Sequence, residues 1–582
     1  MPQMSRDTFE GYIEKASNME VLAVDTEGFF EFDNKLLDVS ECVGLSIAGQ
    51  GFEVYLPFRH AVYKHDNLPG EWLSSVAKMI EDHPRLIFHN AKHDIVALKK
   101  LGITAGPFYD TMLMAHWIDE NIPNKSLDYL SKMYGGMPKN RSAVMQGLID
   151  MLGWAYVPPH LMEEYGANDA RITWDLFYNL YPEFRAQGFD SELWDIEQNF
   201  TRLLSSMEQR GIRVDQDLAR SELEFGEKRM QEIVNELGGL NPGSNKDLQE
   251  LLLNQLKLPV VKRTKPSQRH PGGQPSFAKE QMEVYDELLE RRNDSRAKLV
   301  REYRGWSITC GLNYKPYVER VSSDGRIRCN YKMHGTKTSR LSCEKPNLQQ
   351  IPKNSDKRWN GKLKKAFIPD PGYRLWEGDY KQLEFRLSAA YGKQTDLIDV
   401  FNDESRDIFE EMSKEVGMTR FDTKTLNYTL AYGGGIDRIS GVFGVSTAAA
   451  RAIRSDYYSK YPGLAKATKL AALRCQEQGY IELWTGRRRH FENPEKEAHK
   501  AFNSAMQGGA AEIVKRAMLR CDKEGLNTNE CRMLLQVHDS VVFEIQEGLE
   551  DKYLPEIKKV MEDVRPSFRG VKFAVDIHEW SE

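Results

Sequence analysis

No run of about 18 apolar residues occurs in the sequence, so the simplest signature of a membrane-spanning helix is missing. Paired cysteine spacings of the C-x-x-C kind are missing too. The seven cysteines (Cys42, Cys310, Cys329, Cys343, Cys475, Cys521, Cys531) are odd in number and scattered, which argues against a disulfide framework or a zinc site and for reduced thiols. The first residues, MPQMSRDTFEGYIEK, show neither the basic-then-apolar pattern of a signal peptide nor the Arg/Ser-rich, acid-poor character of a transit peptide. A cytoplasmic protein is the expectation. An excess of positive charge is also lacking, since the net charge is −6. That total excludes little, because nucleic acids are held by local patches.

What is present is ordinary for a soluble globular chain: 582 residues, 40% hydrophobic and 29% charged, enough for roughly three to five domains. Basic clusters stand at Lys262, Arg263, Lys265 and Arg269, at Lys362, Lys364 and Lys365, and at Arg487, Arg488 and Arg489. Each alone reads as solvated surface. Residues 1 to about 185 alternate strand-like runs (VLAVD, EVYLPF, RLIFHN) with amphipathic stretches, as α/β domains do. From about 195 to 305 the chain is helical and charged, broken by KRTKPSQRHPGGQPS, whose composition builds no core. Beyond about 306, strand signals (IRCNYKM, YRLWEGD, MLLQVHD, SVVFEI) flank a helix-rich stretch near 395 to 500, predicting a sheet interrupted by a helical insertion. There is no internal repeat or low-complexity tract.

Two constellations carry chemistry. In VLAVDTEG, Asp25 and Glu27 lie two apart on a strand and so share a face, where they can hold a hard divalent cation. Asp94 follows RLIF where a strand passes into a helix, and in EYGANDARITWDLF Tyr165 and Asp169 are one helical turn apart. In YRLWEGDYKQLEFRLSAAYG an apolar strand ends at Asp379, and in RMLLQVHDSVVFEI two strand runs meet at His538 and Asp539, a tight hairpin. Two aspartates at strand ends suit a two-metal displacement at phosphorus. Between them, Arg420, Lys424, Tyr428 and Tyr432 recur at every fourth position before Gly433, giving one helix face two cations and two rings. Cations suit a triphosphate and rings suit stacking on a base or sugar.

The first set resembles the DEDD nucleases in their tyrosine-bearing proofreading branch, with Asp25, Glu27, Asp94 and Asp169 as the carboxylates and Tyr165 as the phenol. DYKQLEFR (Asp379 to Arg386), Arg420 to Gly433, and QVHD (Gln536 to Asp539) resemble the three core motifs of family A DNA polymerases. GTKTSRLSCEKPNLQQIP and NSAMQGGAAEIVK are similar to supporting motifs, and SSMEQRGIRVD to the entry of the thumb, so the resemblance spans nearly the whole chain.

That resemblance implies a ribonuclease-H-like exonuclease domain over 1–190 and then a right-hand polymerase, an α/β and α+β assembly: thumb 191–305, first palm segment 306–394, fingers 395–500, second palm segment 501–582. It implies Mg2+ ions, replaceable by Mn2+, two at each site, held by Asp25, Glu27, Asp94 and Asp169 and by Asp379, Asp539 and the Tyr380 backbone. Arg420, Lys424, Tyr428, Tyr432 and Gln382 would bind the incoming nucleotide, with Glu384 as the gate against a ribose 2′-hydroxyl. Arg340, Gln349, Asn503, Gln507 and His538 would contact DNA. Partners would be primer–template DNA and dNTPs, with helicase-primase or single-strand-binding partners undetermined, and the enzyme would be monomeric.

The pattern departs at four places. Ser540 stands where the family motif carries a third carboxylate, and Phe409 where many relatives carry a phosphate-contacting histidine. His499 stands where an arginine is common, and Ser339 replaces a glycine. The chain opens at the nuclease, with no 5′-nuclease segment ahead of it, and the thumb has no long insertion, so a compact phage-type replicative polymerase in the host cytoplasm is expected.

Overall fold

The structure is a computed structural model describing residues 4–28, 42–139, 143–351, 362–431, 434–564 and 570–580. Its first sheet grows from the apolar run at Leu22. β1 (Leu22–Gly28) lies between β2 (Cys42–Gly49) and β4 (Leu86–Phe88), with β3 (Phe52–Pro57) and β5 (Phe108–Asp110) at the edges, in the order β3-β2-β1-β4-β5. β1 pairs antiparallel with β2 and parallel with β4. Strand alternation divides its side chains between two cores. Leu22 and Val24 face the core with Phe9, Val76, Ile80 and Leu98, whereas Val21 and Ala23 face the one containing Ala170 and Ile172. Asp25 and Glu27 continue the second series, which turns them toward the long Pro159–Ala186 helix.

The expected strand runs VLAVD, EVYLPF and RLIFHN all form strands. β2 escaped the pattern because all eight of its residues are buried, so it shows no alternation. Its two glycines weaken the strand signal further.

The Glu192–Arg210 helix carries Trp194, Phe200, Leu203, Leu204 and Met207 into the large core shared by the N-terminal α/β segment and the C-terminal sheet. A separate small core follows, made of Ile233, Leu237, Leu251, Leu252, Phe277, Tyr285, Leu289 and Val300 among others. From it the basic segment emerges as an exposed excursion, closed by bridges between Arg263 and Pro275 and between Ser267 and His270.

The C-terminal sheet is antiparallel, in the order β7-β8-β6-β9, from β6 (Tyr373–Tyr380), β7 (Cys531–Val537), β8 (Ser540–Gln546) and β9 (Val575–Glu579). The helices from Leu383–Gly392 to Ala501–Lys523 lie between β6 and β7 in sequence, the predicted interruption. IRCNYKM is not one strand: it breaks into Arg326–Ile327 and Asn330–Lys332.

The third basic cluster is not a solvated surface. Arg487 is 3% exposed and lies 3.5 Å from Glu512, and Arg489 reaches Glu120 at 2.6 Å. Glu120 also accepts from the His490 backbone at 2.6 Å. The Glu120 contacts, with Lys515 to Glu197 at 2.5 Å, tie the N-terminal α/β segment and the Glu192–Arg210 helix to the C-terminal segment. Asp119, Glu120 and His490 have a metal-like spacing, but the Arg489 guanidinium already neutralises Glu120. Lys364, in the second cluster, is buried as well. All seven cysteines are free and buried, and among the described residues no helix is long and apolar enough to cross a membrane.

Candidate active sites

At the nuclease site the Pro159–Ala186 helix lies against β1 and β2 at Gly166. A Cβ there would come within 2.4 Å of Ser46 Oγ and 3.1 Å of Glu27 Oε1, so the glycine permits the close approach. This brings Asp169 to the strand pair, and carboxylate oxygens of Asp25, Glu27 and Asp169 lie within 4.8 Å of one another. Three carboxylates, those of Glu27 and Asp169 on buried residues and that of Asp25 on a half-buried one, repel. Burial, followed by the charge of Asp169, pushes Asp25 up to about 7, and burial with the charge of Asp25 raises Glu27 well above the usual range. Lys139 offsets part of this through an ion pair to Asp169 at 2.5 Å. Glu27 Oε1 is buried and accepts no hydrogen bond among the described residues. A hard divalent cation fits this cluster, which has more negative charge than its one lysine neutralises.

Asp94 sits at the first turn of the Ala91–Lys100 helix, and its Oδ1 accepts from Thr26 N at 2.9 Å and Thr26 Oγ1 at 2.8 Å. Burial and then Asp25 raise its pKa. Tyr165 is 6% exposed, one turn before Asp169, with the Lys139 ammonium 5.6 Å from its ring centre. The five expected nuclease residues therefore converge.

At the second site Asp379 lies near the end of β6, opposite Ser540 of β8 on one side and Asp576 of β9 on the other. The β7–β8 turn holds His538 in the left-handed region, φ 55°, and the Asp539 carbonyl accepts from Tyr380 N at 3.2 Å. A cavity of about 550 Å³ is lined by Asp379, Asp539, Glu384, Gln382, Lys424 and Tyr428, among others. A larger cavity of about 1430 Å³, beside the Glu192–Arg210 helix, includes none of these acids in its lining.

Glu384 is buried on the Leu383–Gly392 helix. Burial raises its pKa to about 7, with the Arg340 cation opposing and Asp539 adding to the rise. Arg340, expected on DNA, pairs here with Glu384 and lies 3.7 Å from Asp539. Gln349 is buried and donates to Gln536 Oε1 at 2.6 Å, while Gln536 donates to the His538 carbonyl. Arg340, Gln349 and His538 line one small cavity, and Asn503 and Gln507 stand half-buried on the Ala501–Lys523 helix that supplies another of its walls.

On the Arg420–Ala431 helix, Arg420 is exposed and paired with Asp407 at 2.5 Å, and Lys424 is exposed with its ammonium 5.9 Å from the Phe409 ring centre. Tyr428 is half-buried, its ring 6.1 Å from that of Phe409. Phe409 itself is 3% exposed and stacks on Phe385, so the histidine position has become part of an apolar floor. Tyr432 and Gly433 lie outside the described residues. Ser339 has φ 61°, the region a glycine occupies without strain. His499 is exposed.

Several residues at these sites were not singled out from sequence: Thr26 and Lys139 at the first, Glu377 and Asp576 at the second. Lys139 comes from a Gly/Pro loop with no periodic signal. Glu377, two before Asp379, was visible as a same-face carboxylate. It accepts from Ser540 Oγ at 2.7 Å and pairs with Lys364 at 2.9 Å. Burial works against its ionisation, but the His578 side chain, Lys364 and Ser540 outweigh it and hold Glu377 at about 2.

Comparison with known proteins agrees with this division. A family model described as 3'-5' exonuclease matches residues 4–185, and one described as DNA polymerase family A matches residues 215–580. DNA polymerase I of Pseudomonas aeruginosa is 30% identical, over 97% of this chain and 62% of its own length. Thermostable DNA polymerase I of Thermus filiformis is 28% identical, over 84% of this chain and 56% of its own length. The chain thus spans about three fifths of the length of the curated relatives it matches. Among solved structures, the POL domain of Pol1 from M. smegmatis in complex with DNA primer-template and dNTP superposes with a TM-score of 0.84 at 22% identity, covering 100% of this chain and 99% of that one. With the 215–580 match taking in the aspartate hairpin, the Leu383–Gly392 helix and the Arg420–Ala431 helix, the chain belongs to DNA polymerase family A.

Proposed function

We propose that this chain is a DNA-directed DNA polymerase with its own 3′→5′ proofreading exonuclease, acting on primer–template DNA with deoxynucleoside triphosphates. The observation that carries the reading is the single cavity joining Asp379 and Asp539 to Glu384, Tyr428 and Lys424. Acids, a sugar gate, a ring and a cation are what nucleotidyl transfer needs in one place. Asp379 and Asp539 would hold the divalent ions, Mg2+ in the first instance, and those ions when bound supply charge stabilisation to the attacking 3′-oxygen and the leaving pyrophosphate. Arg420 exchanges Asp407 for a phosphate and Lys424 grips the triphosphate from the same helix face. Glu384, held by Arg340, stands beneath the sugar. In the nuclease, Asp25, Glu27, Asp94 and Asp169 would hold the ions and Tyr165 would orient the hydrolytic water.

The domain division proposed for this function is nuclease 1–190, thumb 191–305, palm 306–394 with 501–582, and fingers 395–500. We assign the enzyme to phage genome replication on the sequence pattern alone; the relatives reported above are bacterial.

The test separates the two sites. Asp539→Ala or Asp379→Ala is expected to abolish primer extension and leave 3′→5′ digestion. Asp25→Ala with Glu27→Ala is expected to do the reverse. Near-normal extension by Asp539→Ala would refute the polymerase site, and retained digestion by the double variant would refute the nuclease site.

A further inference from the structure

Ser540 leaves the polymerase hairpin one carboxylate short of the family motif, yet the cavity around it is not short of carboxylate. Glu377 and Asp379 are alternate residues of β6 and present their side chains to one face of the sheet. Ser540 of β8 is the register partner of Asp379, so its side chain rises on that same face. The Ser540 hydroxyl has the Glu377 carboxylate as its nearer acceptor, Oε1 at 2.7 Å, and the Val537 carbonyl at 3.0 Å. A carboxylate carried by position 540 would extend into the space that the Glu377 carboxylate fills. Glu377, Ser540, Asp379 and Asp539 all line the 550 Å³ cavity.

We propose that Glu377 supplies, from the neighbouring strand, the third carboxylate of the polymerase metal site, with Ser540 as the hydrogen-bond donor that aims it. The proposal rests on the polymerase reading above. The β8 position has lost its acid to Ser540, and Glu377 of the facing strand β6 puts a carboxylate over the same face of the sheet. The Ser540 hydroxyl holds Oε1, and Lys364 at 2.9 Å and His578 at 3.4 Å hold Oε2. The carboxylate is therefore oriented from both sides, as a group supporting a metal site must be. The competing account makes Glu377 only a counter-ion for Lys364.

The test uses the full chain with Asp25→Ala and Glu27→Ala, which removes the nuclease metal site, bound to a dideoxy-terminated primer–template and the next dNTP. Mn2+ binding is titrated by electron paramagnetic resonance, with the thermal midpoint as a check on folding. Glu377→Gln, which keeps the shape and an acceptor for Ser540, is expected to weaken Mn2+ binding by about tenfold or more, the range over which supporting groups act. The exchange variant Glu377→Ser with Ser540→Glu, which returns the acid to the β8 position, is expected to recover most of that loss. Unchanged binding in Glu377→Gln overturns the proposal. So does a loss that the exchange does not recover, because Glu377 would then serve Lys364 and not the metal. Asp539→Ala tells a failure of this proposal from a failure of the site: if that variant binds Mn2+ and extends primers normally, the polymerase reading falls and the proposal with it.

Discussion

At Tyr428 a single hydroxyl separates two kinds of polymerase, because the ring faces the cavity where the incoming sugar would sit. Burial, then the charges of Glu384, Asp539 and Asp379, keep that phenol protonated. A dideoxynucleotide lacks the 3′-hydroxyl that helps satisfy its own triphosphate, and the tyrosine hydroxyl would fill that place. Near-equal use of dideoxy- and deoxynucleotides is expected. Tyr428→Phe should restore discrimination by about tenfold or more, tenfold corresponding to about 1.4 kcal/mol, within the cost of an unsatisfied buried polar group. Competitive incorporation with the nuclease inactivated measures this, and strong rejection by the parent enzyme would mean that the hydroxyl does not face the sugar. For Glu384→Ala, more ribonucleotide insertion is expected together with a lower kcat, because the change opens the sugar pocket and leaves Arg340 with Asp539 as its remaining carboxylate here. Single-nucleotide kinetics with matched ribo- and deoxynucleotides give the answer, and unchanged selectivity would remove Glu384 from the gate. Both positions were legible in the sequence. The partner of Glu384 was not, since Arg340 had been expected on DNA and the pairing joins residues 44 apart in the chain.

Among the elements, the Pro159–Ala186 helix bears most directly on chemistry, for it carries Tyr165 and Asp169 past β1 on the strength of one missing side chain. Gly166→Ala places a Cβ against Ser46 and Glu27. Ser46 Oγ must then turn aside and either the Glu27 carboxylate or the helix must shift, so we expect proofreading to fall by at least about tenfold, as expected for catalytic groups displaced by a fraction of an ångström. Primer extension should be unaffected. Equal nuclease rates in variant and parent on a mismatched primer would show that the helix has room to spare. Strand-ending aspartates could be read from the chain because an apolar run followed by a polar residue is a local pattern. β2 and β9 could not: the first is buried throughout and the second, VDIHE, is half polar. Phe409 shows a different limit. Its replacement of histidine was plain, but that it forms the floor beneath Tyr428 is a matter of how two helices pack.

Across the whole molecule, the nuclease and polymerase segments share one core, and His116 lies where they meet. It is 2% exposed, and neither ring nitrogen has a hydrogen-bond partner among the described residues. Burial, then the positive charges of Arg487, Lys125 and Lys515, push its pKa well below 6.5. The folded protein therefore keeps His116 neutral, while the unfolded chain takes up a proton below about 6.5. Stability is fully present above that pH and is lost as pH falls. His116→Leu removes this loss, so the variant's stability relative to the parent should rise between pH 7.5 and pH 5, by up to about 1.4 kcal/mol per unit below 6.5. The raised carboxylates of the nuclease pull the other way but are common to both proteins and cancel in the difference. Denaturant titrations at several pH values check it, and a flat difference would mean that His116 is protonated in the fold.

The sequence by itself determined which groups are candidates for the chemistry, because strand alternation, helical spacing and the sharp ends of apolar runs are written within a few residues of each carboxylate. Asp25, Glu27, Asp94, Tyr165, Asp169, Asp379 and Asp539 were all proposed that way. Only the tertiary structure decided what each of them meets. Arg487 and Arg489 turned inward to Glu512 and Glu120, Lys139 reached Asp169, and Glu377 crossed to Ser540, pairings between residues far apart in the chain. The physical reason is that a charged side chain looks the same in sequence whether water or a buried counter-charge will surround it, and the packing of distant segments settles which.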